Sequence, residues 1–171
     1  FQLPRKKKIG EFSKGMKMKL QLACALSHEA ELLVMDEPTS GLDPVVRDEI
    51  LRIFMEYLED GERSILMSSH ITSDLDKIAD SVTFIDNGKL LLTGYKDEIL
   101  ENHGICKCSK DDFKEVAAED YISAHVNDFG VDFLVSDKAA CKQKYSGLLI
   151  ENTNLEEIML FYVNKEKKEW S

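Results

Sequence analysis

"LLVMDEPTSGLDP", residues 32–44, sets two acidic side chains directly behind an apolar run. Leu32, Leu33, Val34 and Met35 form a short continuous apolar stretch, the pattern of a strand covered on both faces in a parallel sheet. A buried helical turn has the same periodicity, and Pro38, Thr39, Ser40 and Gly41 would end either element. We take the strand. In open α/β sheets ligands lie outside the carboxyl ends of the strands, which is where Asp36 and Glu37 would then sit. An ionised carboxylate resists burial unless it is paired, hydrogen-bonded or bound to a metal, so the pair marks a candidate site. A strand end that merely faces water is the alternative.

The neighbouring segments extend this pattern in both directions. Ser13 is a helix N-cap, and the apolar positions after it predict a largely buried helix over about 14–28. Asp43-Pro44 is an N-cap followed by proline at the first helical position, opening an amphipathic helix over 44–59 that Gly61 stops. "SILMSSH", 64–70, reads as a second buried strand that delivers Ser68, Ser69 and His70 at its carboxyl end. Strand, helix and strand make a βαβ unit with parallel strands. A short helix over about 73–79 comes next, then a hairpin around Asp86-Asn87-Gly88 and another short helix over 95–102. After Gly104 four short strands, two helices and a final helix, with Thr153 and Glu156 as its capping box, describe a small α+β module. The expected domains are therefore 1–103 and 104–171.

With 43% hydrophobic and 32% charged residues, the chain has the composition of a globular protein. No run approaches the ~18 apolar residues of a membrane span, and a soluble chain is expected. A net charge of −10 argues against a nucleic-acid surface over the whole molecule. That charge is unevenly spread. Residues 1–22 hold seven Lys and Arg against Glu11 alone, leaving 15 basic and 31 acidic residues elsewhere, a balance of −16. Arg5 to Lys8 read as a solvated face, with a local anion site as the alternative. Cys24, Cys106, Cys108 and Cys141 lack zinc-ribbon spacing and read as reduced cytosolic thiols. The opening "FQLPRKKKIGEF" has no initiating Met and reads as the middle of a longer chain.

Taken in order, "FSKGM", "LLVMDEP", "SGLD" and "SSH" resemble the second half of the nucleotide-binding domain of ABC-type ATPases, over about residues 1–100. "LLVMDEP" is similar to the Walker B strand with its following glutamate, "SGLD" to the D-loop, "SSH" to the switch-histidine segment and "FSKGM" to a variant signature. The fold class implied is α/β: the C-terminal half of a P-loop ABC-type domain, followed by the α+β module. By that resemblance Asp36 holds Mg²⁺, Glu37 orients and deprotonates the attacking water, and His70 contacts the γ-phosphate of ATP. Ser13, Lys14 and Gly15 would meet the nucleotide of a second nucleotide-binding domain in a homo- or heterodimer. Asp43 would lie at that dimer interface. The signature departs from Leu-Ser-Gly-Gly-Gln, with Lys14 for the first glycine and Met16 for the glutamine. No Gly-x-x-x-x-Gly-Lys-Ser/Thr loop occurs in the 171 residues.

The resemblance implies the ATPase subunit of a transporter, working with a transmembrane permease on the inner face of the cell membrane, with no nucleic-acid partner. The module after residue 103 is similar to the tails of bacterial drug- and antibiotic-exporter ATPases, which implies export and a regulatory tail. The competing readings are an ABC-type ATPase acting on ribosomes or DNA, and a non-catalytic interaction module.

Overall fold

A computed structural model of the chain describes residues 3–168. Its contacts divide into two compact units, one ending at Ile78 and the other beginning at Ala79.

The first unit is built on a short parallel sheet. Helix α1 (Lys14–Leu26) leads into strand β1 (Leu32–Asp36), helix α2 (Pro44–Leu58), strand β2 (Ser64–Ser68) and helix α3 (Thr72–Ile78). Strands β1 and β2 pair in parallel, with Leu32 opposite Ser64 and Asp36 opposite Ser68. Because side chains alternate along a strand, Leu33, Met35, Ile65 and Met67 share one face; Leu33 is buried, and the other three pack with Leu22 of α1 and Ile50, Leu51 and Phe54 of α2. The opposite face is bare within this unit: Leu32, Val34 and Leu66 are 53%, 70% and 63% exposed. The strand expected to be covered on both faces is thus covered on one, since the helices of this unit reach only the Leu33 side. Helix α1 is likewise only partly buried, with Gly15 and Leu22 alone enclosed. The second strand stops at Ser68 rather than running to His70, because its register ends opposite Asp36.

The second unit opens with a hairpin, β3 (Ser81–Asp86) and β4 (Lys89–Tyr95), turning through Asn87 and Gly88. Both turn residues have positive φ, 47° and 77°, as a tight turn matched to strand twist requires. Helix α4 (Lys96–Asn102) leads to an antiparallel sheet of order β6-β7-β5-β8, made from β5 (Gly104–Cys108), β6 (Ser123–Val126), β7 (Val131–Val135) and β8 (Leu149–Glu151). Helices α5 (Lys110–Phe113) and α6 (Lys138–Lys144) lie between strands, and α7 (Leu155–Lys168) ends the described chain.

This sheet is packed on both sides. Cys106, Val131, Phe133 and Val135 point to a core with Cys141, Phe113 and Tyr121, in which the Phe113 and Phe133 rings stand 5.3 Å apart. On the other side Leu134, Leu155 and Ile158 are fully buried, and the Ser123 hydroxyl donates to the Phe161 carbonyl at 2.6 Å. The cap of α7 falls one residue later than the sequence suggests. Asn154 Oδ1 accepts the Glu157 N–H at 2.9 Å, while the Glu157 carboxylate accepts the Asn154 N–H and the Thr153 hydroxyl. Asn is the stronger cap of the two adjacent candidates, and Glu157 stands three residues on.

The contact division at Ile78 differs from the expected boundary at 103. The hairpin and α4 cluster with the four-stranded sheet and its helices, because Val82, Phe84 and Ile99 are buried within the second unit.

Candidate functional site

Parallel pairing of β1 and β2 brings the two polar strand ends side by side. The Ser68 hydroxyl donates to Asp36 Oδ1 and accepts the Glu37 N–H at 3.0 Å, and the same N–H lies 3.2 Å from the Ser68 carbonyl. Glu37 has φ +47°, in the left-handed region that non-glycine residues seldom occupy. Strained backbone of this kind persists where surrounding bonds over-determine it, and here Ser68 supplies them. The Glu37 side chain is turned onto His70, with Oε2 2.7 Å from Nδ1. That contact is not aligned as a hydrogen bond, and Glu37 Oε2 is buried without a hydrogen-bond partner. His70 itself is 67% exposed. Asp36, Glu37 and His70, predicted separately, therefore meet in one cluster. Ser68, which ties them together, reads in the sequence only as part of a polar strand end.

The remaining predicted residues form a second group. Ser13 caps α1, its hydroxyl accepting the Met16 N–H at 3.2 Å. Asp43 caps α2, accepting the Val46 N–H at 3.0 Å. Gly15 sits where α1 and α2 meet, and a Cβ there would come within 2.8 Å of Val46 Cγ1. Lys14 lies over the turn before α2, its Nζ 2.6 Å from where a Cβ on Gly41 would stand. The signature-like segment is thus packed against the SGLD turn of its own chain. Behind that turn Asp74 of α3 is buried, with Arg47 of α2 as its ion-pair partner at 3.2 Å.

The donor set bears on the expected Mg²⁺. Among the described residues no three His, Cys, Asp or Glu side chains converge as a complete metal cage. Asp36 is exposed at its strand end and offers a hard carboxylate oxygen. One carboxylate fits magnesium, which keeps waters and takes phosphate oxygens as ligands, and does not fit zinc.

The span that holds both groups of residues is also where a family model matches. Residues 7–75 match the family model described as "AAA domain, putative AbiEii toxin, Type IV TA system". The bacitracin transport ATP-binding protein BcrA of Bacillus licheniformis is 45% identical over 86 residues, covering 50% of this chain and 28% of BcrA. The ABC transporter ATP-binding protein NatA of Bacillus subtilis is 36% identical over 96 residues, covering 56% of this chain and 39% of NatA. About half of the chain is similar in sequence to ABC transporter ATP-binding proteins. A solved ATP-binding subunit of an ABC transporter aligns with a TM-score of 0.47 and 35% identity, over 54% of this chain and 38% of that one. The chain thus spans between about a quarter and two fifths of the length of these ABC relatives. No helix among the described residues is long and apolar enough to cross a membrane.

Proposed function

We propose that this chain carries the water-activating half of an ABC-type ATP hydrolysis site, in an ATPase subunit that powers transport, of export type, through a separate transmembrane permease. The convergence of Asp36, Glu37, Ser68 and His70 at the ends of two parallel strands carries the reading.

In this reading Asp36 holds Mg²⁺ through an oxygen or its water, with Ser68 fixing the carboxylate's rotamer. Bound there, the ion would offset charge on the β- and γ-phosphates. Glu37 orients a water in line with the γ-phosphorus and takes its proton as the new P–O bond forms and the bond to the ADP oxygen breaks. Its Oε2 has no aligned hydrogen bond and faces His70 Nδ1 at 2.7 Å, so it can accept that proton once His70 turns to the γ-phosphate. His70 adds a donor toward the γ-phosphate. Ser13, Lys14 and Gly15 face nucleotide held by a second nucleotide-binding domain, and Asp43 lies at the interface between the two. The phosphate loop comes from residues outside these 171. The bare face of Leu32, Val34 and Leu66 is then where the rest of the sheet and its helices pack. The unit is peripheral at the inner membrane face, held by its permease, and 104–171 is an accessory domain.

Glu37→Gln tests this in the complete ATPase. Turnover should fall at least ~100-fold, about 2.7 kcal/mol of barrier, while ATP affinity is kept, because the amide preserves shape and removes the base. Phosphate release and equilibrium nucleotide binding are the measurements. Unchanged turnover would exclude Glu37 from the chemistry.

A further inference from the structure

Many cations among the described residues are held by carboxylates. Arg47, Arg52, Lys77, Lys107, Lys114 and Lys144 each meet a carboxylate at 2.6–3.3 Å. Arg5, Lys6, Lys7 and Lys8 are consecutive and exposed, and no carboxylate among the described residues pairs with them. Arg5, Lys6 and Lys7 occupy a turn closed by the Lys7 N–H on the Pro4 carbonyl at 3.3 Å, and Lys8 follows it, its carbonyl accepting from Glu11 at the start of the next turn. Four cations on consecutive residues lie on the scale of a Debye length, so an anionic surface meets them together. Ile9 follows directly and is 62% exposed.

We infer that the Arg5–Lys8 turn is a docking surface for the anionic headgroups of a lipid bilayer, with Ile9 entering the headgroup layer beside it. Charge complementarity is the argument. A molecule of net charge −10 is repelled by an anionic surface over most of its extent, and four consecutive unpaired cations make this turn the place where that repulsion is most strongly offset, which orients the chain. Each Lys or Arg near such a surface raises partitioning about fivefold. An apolar side chain next to the cations suits an interface that is charged outside and oily beneath. Nucleic acid is the less favoured anion: the turn itself carries no aromatic ring to stack on bases, and the acidic remainder of the chain opposes a long polyanion. The inference does not rest on the ATPase reading, since vesicle binding and turnover are separate measurements and either can fail alone.

Cosedimentation of the 171-residue chain with phosphatidylglycerol/phosphatidylcholine vesicles, against pure phosphatidylcholine vesicles, tests it. Binding should appear on the anionic vesicles alone and vanish at about 0.5 M salt. Replacing Arg5, Lys6, Lys7 and Lys8 together by Gln should weaken binding at least tenfold without changing the circular dichroism spectrum. Replacing Lys107, Lys110, Lys114 and Lys142 by Gln removes the same charge and should weaken it less than threefold. Equal loss in both variants would overturn the inference, as would binding to neutral vesicles, absence of binding to anionic ones, or a DNA duplex that outcompetes them.

Discussion

The two sheets of this molecule solve the same problem differently. The four-stranded sheet of the second unit covers both faces with its own helices, so Phe133 and Leu134, neighbours on β7 that point to opposite sides, are each fully buried. The β1–β2 sheet covers one face, and Val34 between two packed neighbours is left 70% exposed. A sheet that completes its own core has no need of other chain, whereas a sheet with a bare apolar face has a use for one. The candidate site falls on one side of the contrast: Asp36, Glu37, Ser68 and His70 lie at the carboxyl ends of the two strands whose sheet has a bare face.

The largest effect expected from that contrast is on stability. Phe133→Ala should cost about 3–5 kcal/mol in the second unit, the range for emptying a well-packed aromatic site. Val34→Ala in this chain should stay within about 0.5 kcal/mol, as an exposed position does. Amide exchange on β7 and on β1 under mild denaturant reads both. The contrast sharpens if Val34→Ala costs more than about 1 kcal/mol in a longer protein that covers the face. It breaks if Val34→Ala is already that costly here.

An intermediate effect tests how the second site group is held together. Gly15→Ala drives a methyl to 2.8 Å from Val46 Cγ1 and should destabilise the first unit by about 1–3 kcal/mol, the usual range for overpacking. Val46→Ala in the same chain should restore most of the loss, because it removes the methyl that is struck. Thermal melts of the two single variants and the double variant give the coupling directly. Independent, additive losses would show that Gly15 is needed for its backbone and not for the close approach.

Legibility follows the range of each signal. Asp36, Glu37 and His70 are visible because an apolar run ending in a polar group is local in sequence, and so are the helix caps at Ser13 and Asp43. The tie made by Ser68 depends on strand register across 32 residues, which no local pattern records. Gly15 illustrates the same limit. Its sequence neighbourhood suggests a phosphate contact, and its packing against Val46 exists only once α1 and α2 cross. At α7 the competition is between Thr153 and Asn154, two capping residues side by side, and one residue of offset in "TNLEE" decides it. The boundary at 103 rests on motif content, whereas contacts divide where burial divides.

The smallest effect lies in the complete unit and depends on pH. His103 is buried, its Nδ1 2.8 Å from the Ile99 carbonyl and its Nε2 3.1 Å from the Tyr162 hydroxyl. A carbonyl only accepts, so Nδ1 carries the proton and neutral Nε2 accepts from Tyr162. Desolvation lowers the pKa of His103 below its ordinary 6.5, partly offset by the Ile99 carbonyl, with the Lys138 ammonium lowering it further. A folded pKa below the unfolded one means that the unfolded chain binds the proton first. The contribution is therefore fully present above pH 6.5 and is lost as pH falls from there through the folded pKa, at no more than one proton's slope, about 1.4 kcal/mol per pH unit. Stability of the second unit, measured by urea denaturation between pH 7.5 and 5, should decline more steeply in the wild-type chain than in His103→Gln, which cannot titrate. Equal slopes would mean that His103 protonates as readily folded as unfolded, and the enclosure of α7 against β6 and β7 would then be looser than its buried residues indicate.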